Sequence, residues 1–182
     1  WELWKSDGTD GGTVLVRDIY VGVNSSAPGS LINLNGTLFF SATDTSSRRE
    51  LWKSDGTENG TVRVSDIAVG SASSYPAQLT NVNGTLYFTA NDLVHGTELW
   101  AHDSTGTFLI SDLIPGTSGA TISNLTSVGG RLYFTTNDNL TGDELWQSDG
   151  TPDGTFSFDM AQPGGSSPSA LTTSGARLYY SA

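Results

Sequence analysis

The residues that could do chemistry are acids at fixed places. Glu2, Glu50, Glu98 and Glu144 each open a Glu-Leu-Trp triplet, at intervals of 48, 48 and 46 residues. A carboxyl pair at the right separation can hydrolyse a glycosidic bond, one acting as acid and the other as base or nucleophile. Asp7, Asp55, Asp103 and Asp149 follow the triplets, and Asp18, Asp66, Asp112 and Asp159 end a later apolar run. Asp44, Asp92 and Asp138 form a further set. Oxygen-rich loops suit calcium, which makes Asp44, Asp92 and Asp138 the metal candidates, although no DxDxDG spacing accompanies them.

Repetition itself argues for a different use of these acids. A single active site breaks the equivalence of repeated units, whereas a residue present in every unit builds the unit. Short acidic side chains accept hydrogen bonds from N–H groups of their own turn. On a strand, each Glu shares a face with the Trp two residues later, a structural setting. No catalytic residue is assigned, and no cofactor is expected beyond the calcium option. His95 and His102 do not recur between units, and neither HExxH nor GxSxG occurs. The positions that differ between units are the ligand-contact candidates: Tyr20, Tyr75, Arg48, Arg49 and His95. Loops on a rigid scaffold commonly make contacts, and tyrosine can stack on a sugar or peptide.

The elements that hold these residues are repeated too. Each unit contains four short apolar or alternating runs, represented by LINLN, TLFFSA, ELW and TVLVRDI. Their Val, Ile, Leu, Phe, Tyr and Thr content favours strands. Asn35-Gly36 and Asn83-Gly84 separate the first two runs, as a type I′ hairpin turn requires, and Gly129-Gly130 serves equally. Gly175-Ala176 is a weaker match. The stretch SDGTxxGT joins the third and fourth runs, and no helical pattern is present.

Four antiparallel strands in about 45 residues is the blade pattern of a β-propeller. Trp4, Trp52, Trp100 and Trp146 hold one position per unit, so one indole wedged between neighbouring sheets is expected for each. The phase runs two strands, three full sets, then two strands. This predicts a single propeller domain over 1–182. Its blades lie near 30–68, 78–114 and 124–161, and a closing blade combines 1–20 with 169–182. In that blade the strand at 177–182 pairs with the strand at 2–6. The alternative is half of a larger propeller, completed by a homodimer.

ELWKSDGT at 2–9 and 50–57, with ELWQSDGT at 144–151, resembles the bacterial ELWxxDGT repeat proteins. The resemblance covers nearly the whole chain and implies a secreted or cell-surface protein. The third unit departs from it, with HDST in place of SDGT and two residues fewer. The SDGTxxGT turn is also similar to the Asp-box of other propellers, which implies a structural staple. The NG-x-Leu-Tyr/Phe alternation is loosely similar to kelch blades.

Composition narrows the partners. Nineteen acidic against eight basic residues give a net charge of -11, which repels nucleic acid and anionic membrane surfaces. No apolar run has the length of a membrane span, and the absence of cysteine excludes disulfides. The expected function is a non-enzymatic scaffold that binds protein or glycan through loops. A lectin with repeated shallow sugar sites is the second reading, and a glycosidase or lyase with a central-channel site is the third.

Overall fold

The computed structural model describes residues 1–137, 142–158 and 166–182. The described chain is all-β, with sixteen strands and no helix. It divides into two compact units, Trp1–Ala77 and Gln78–Ala182. No helix among the described residues is long and apolar enough to cross a membrane.

In the first unit, β1 (Leu3–Lys5) and β2 (Val14–Arg17) form a two-stranded sheet. It is followed by a four-stranded sheet in which β3 (Gly29–Leu34), β4 (Thr37–Thr43), β5 (Arg49–Ser54) and β6 (Val62–Arg63) lie in chain order. The second unit holds two further four-stranded sheets. One contains β7 (Ala77–Val82), β8 (Thr85–Asn91), β9 (Thr97–Asp103) and β10 (Gly106–Ser111). The other contains β11 (Ser123–Val128), β12 (Arg131–Asn137), β13 (Asp143–Ser148) and β14 (Phe156–Phe158). A final pair comprises β15 (Ser169–Ser174) and β16 (Arg177–Ser181).

All these pairings are antiparallel meanders, as short turns between consecutive strands dictate. The predicted turn chemistry is present: φ is 52° at Asn35 and Asn83, and 57° and 82° at Gly129 and Gly130. One register repeats through the central pairs, with Phe40 opposite Trp52, Phe88 opposite Trp100 and Phe134 opposite Trp146.

The sheets stack face to face inside each unit. Trp52 is buried with Leu3, Val16 and Ile19 of the first sheet region and with Phe40 and Ala42 of its own. Trp146 is buried with Tyr87, Leu99, Ala101 and Ile110, beside Leu132 and Phe134. Its ring lies 6.1 Å from that of Phe134. Truncating either indole to alanine would cost about 3–5 kcal/mol, the range for large core aromatics.

β1–β2 and β15–β16 are each two-stranded sheets. Of the repeated indoles, Trp52 and Trp146 are buried and Trp100 is half-buried, whereas Trp4, at the same strand position, is 59% exposed.

Candidate functional site

The repeated acids sit in two constructions, one at the tip of a hairpin and one in the interior. The tip is the SDGTxxGT turn. Asp7 Oδ1 accepts from the Thr9 N–H at 3.0 Å and from the Thr9 hydroxyl at 2.7 Å. The Gly12 N–H donates to Thr9 Oγ1, and the Thr13 hydroxyl donates to the Thr9 carbonyl oxygen. Ser6 Oγ accepts from the Gly8 N–H and lies 2.7 Å from Thr13 Oγ1. The same bonds recur around Asp55 and Asp149.

Glycine is needed at the seventh position because a Cβ on Gly12, Gly60 or Gly154 would overlap the carboxylate of Asp7, Asp55 or Asp149. The threonine hydroxyl, then the threonine N–H, hold all three carboxyls below the usual aspartate range. The worn third unit keeps only the centre of this design. Asp103 Oδ1 still accepts from the Thr105 N–H and hydroxyl. His102 Nδ1, at 2.8 Å from Thr107 Oγ1, takes the place of the Ser–Thr link.

The interior construction is built on the glutamates. Glu50 is fully buried. Its carboxylate accepts from the Ile67 N–H at 3.3 Å, the Ser74 N–H at 3.0 Å and the Ser74 hydroxyl. The acid therefore ties β5 to the loop that leads toward the next sheet. Glu2 does the same with Ile19 and Ser26, and Glu144 accepts from the Ser166 hydroxyl at 2.9 Å.

Glu98 differs. It is fully buried and accepts from the Leu113 N–H at 3.0 Å, but Ala120 stands where the other units have serine; its Oε1 has no partner, as is also true of Glu144 Oε1. The carboxyl pKa values follow this geometry. Desolvation works against Glu2, but its bonds from Ser26, Ile19 and Tyr20 outweigh it and hold the carboxyl below the ordinary value. Burial pushes Glu50 up, against the bonds from Ser74 and Ile67. Burial pushes Glu98 up to about 7, with Asp112 adding its charge.

The candidate calcium ligands are engaged by their own loops. Asp44 accepts from the Ser46 and Arg48 N–H groups and pairs with the Arg48 guanidinium at 2.9 Å. Asp92 accepts from the Val94 and His95 N–H groups, and its Oδ2 lies 2.7 Å from His95 Nδ1. That bond, more than the opposing desolvation, raises the His95 pKa. Asp138 and Asp159 lie outside the described residues. No group of three or more His, Asp or Glu side chains among the described residues could hold a metal ion.

The contact candidates separate. Tyr20 is half-buried and bonds Ser47 Oγ through its hydroxyl at 2.9 Å. Arg49 is spent on the Ala27 carbonyl oxygen and Ser41 Oγ, and Arg48 on Asp44. Tyr75 is 66% exposed, at a φ of 49°. These residues do not converge on one cavity.

No protein-family model, curated protein or solved structure matches this chain.

Sequence reasoning missed the serine partners of the glutamates. The signal was present: a serine stands 24 residues after Glu2 and Glu50 and 22 after Glu144, while alanine stands 22 after Glu98.

Proposed function

We propose that this chain is a non-enzymatic repeat scaffold of propeller-type blades that presents loops to a protein or glycan. The repeated acids support this reading most directly. The hairpin aspartates each accept two bonds from a threonine of their own turn, and the glutamates tie a strand to the following loop. Chemistry that appears in every unit is thus used to build the unit, and variation is left to loops. The sequence resemblance to ELWxxDGT repeat proteins adds an extracellular or cell-surface setting. A four-bladed ring, or half of a larger ring completed by a homodimer, is the architecture this scaffold implies.

The lectin reading has one favourable observation, the exposed ring of Tyr75. Alanine, threonine and serine occupy the matching positions 27, 121 and 167, so aromatic stacking would be confined to one loop. A glycan array with wild-type protein and Tyr75→Ala tests it. Binding lost in the variant supports a single sugar site, and binding that persists at several equivalent sites would instead support a repeated lectin. Turnover of a glycan that disappears in Glu98→Gln but not in Tyr75→Ala would overturn the scaffold reading.

A further inference from the structure

The residue before each repeated glutamate changes from unit to unit: Trp1, Arg49, Thr97 and Asp143. Arg49 and Asp143 hold one register, opposite Thr43 and Asn137 of the neighbouring strand. In the first compact unit the Arg49 guanidinium donates to the Ala27 carbonyl oxygen at 3.0 Å and to Ser41 Oγ at 2.7 Å. In the second compact unit the matching place is a cavity of about 250 Å³. Its walls include Thr121, Asn124, Thr135, Thr136, Asp143 and Ser167.

The frame around this place is the same in both. Ser41 Oγ donates to the Gly29 carbonyl oxygen at 3.2 Å, and Thr135 Oγ1 donates to that of Ser123 at 3.3 Å. The Tyr75 N–H donates to the Arg49 carbonyl oxygen, and the Ser167 N–H to that of Asp143. What differs is the charge. An internal cation is exchanged for the exposed carboxylate of Asp143, which no hydrogen bond or ion pair ties to another described residue. Asn124 Nδ2 takes over one Arg49 contact, donating to Thr135 Oγ1 at 3.0 Å. The other acceptor, the carbonyl matching that of Ala27, belongs to Thr121. Thr136, 2% exposed, adds a hydroxyl oxygen that has no partner.

We infer that this cavity binds the guanidinium of an arginine carried by a protein partner, a partner class that rests on the scaffold reading above. The chain supplies such a group itself in one unit and leaves acceptors for it in another. A guanidinium is planar and donates through a fork that fits a carboxylate with two bonds. Asp143 takes that fork, and the Thr121 carbonyl takes a further N–H, as Ala27 does from Arg49. An ammonium is a compact, more strongly hydrated charge and fits this geometry less well. The net charge of -11 favours the approach of a cation.

Titration of acetyl-arginine amide into the full chain, followed by backbone amide NMR, tests this. The expected result is a saturable shift confined to Ser123, Asn124, Asp143 and Ser167. Acetyl-citrulline amide has the same outline without the charge and should bind about tenfold more weakly, the scale of a charged hydrogen bond. Asp143→Asn, at an exposed position, should weaken the arginine ligand by the same factor. Asp143→Arg places the chain's own guanidinium at the cavity and should abolish the shifts.

Absence of a saturable shift, shifts centred on other residues, equal binding of the citrulline ligand, or binding unchanged in Asp143→Asn would each overturn the proposal. Any of these leaves the scaffold reading in place, since that reading needs no filled cavity. Glycan turnover lost in Glu98→Gln would remove the scaffold reading and leave the arginine titration as it stands.

Discussion

Glu50 and Glu98 hold the same position in consecutive repeats, and a serine hydroxyl and a backbone N–H separate their surroundings. Both are fully buried. Glu50 accepts two N–H bonds and the Ser74 hydroxyl. Glu98 faces Ala120, and its Oε1 has no partner. The groups facing Glu98 do not compensate: Asp112 raises its pKa further, and His95 is hydrogen-bonded to Asp92. The comparison teaches that a buried acid can be a strong internal tie or a standing liability, depending on whether each oxygen is satisfied.

The largest effect should come from removing the tie that works. Glu50→Ala strands the Ile67 N–H and the Ser74 hydroxyl, while the Ser74 N–H keeps the Arg49 carbonyl oxygen, and each buried group left unmade costs about 1–3 kcal/mol. Glu98→Ala strands chiefly the Leu113 N–H and should cost clearly less. Urea unfolding of the two variants at pH 7 checks the ranking, and equal losses would break the comparison.

Ser74→Ala removes from Glu50 the hydroxyl that Glu98 lacks and leaves the backbone N–H in place. It should cost about 1–3 kcal/mol and push the Glu50 carboxyl higher, which carboxyl NMR titration reads directly.

The pH dependence comes next. Glu98 titrates at about 7 when folded, against an ordinary 4.5. The native state therefore holds a proton that the unfolded chain has already lost. Its contribution to stability is greatest below pH 4.5, declines as pH rises toward 7, and levels off above that. Glu98→Gln removes this titration, so wild type and variant should diverge between pH 5 and 8, with the variant relatively more stable at the alkaline end. Parallel stability curves over that range would contradict it.

The smallest change is the repair. Ala120→Ser offers Glu98 the hydroxyl that the other units use. It should add about 1 kcal/mol, the net worth of one hydrogen bond, at pH 8 and less at pH 5. A thermal midpoint lowered at both pH values would mean that the serine cannot reach the Glu98 carboxyl.

Much of the fold was legible because its determinants are local. Asn-Gly dipeptides specify the tight hairpins, alternating apolar runs specify the strands, and the repeat specifies which strands neighbour each other. The hairpin aspartates were also legible, since their partners lie two residues away. The Glu–Ser ties were not, because they span up to 24 residues and join a strand to a loop without regular pattern. The exposure of Trp4 was hidden for another reason. Its sequence context matches that of Trp52, and burial depends on a neighbouring sheet that no local pattern encodes. Tyr20 and Arg49 looked like free contact residues because variation marks loops. Variation does not distinguish a side chain reaching outward from one bonded to the next loop.

The glycine beneath each hairpin carboxylate has a consequence for how such repeats diverge. Asp7 with Gly12, Asp55 with Gly60 and Asp149 with Gly154 interlock, so a side chain arriving at the glycine alone collides before any replacement for the aspartate exists. Gradual drift through that turn is blocked at its first step. The third repeat left it by another route: the two residues before the glycine are gone, a Cβ on the remaining Gly106 would meet nothing, and a two-residue turn closes β9 onto β10 between Asp103 and Gly106. Changes in loop length, more than point changes, are then the ordinary way for a unit of this kind to acquire a new outline.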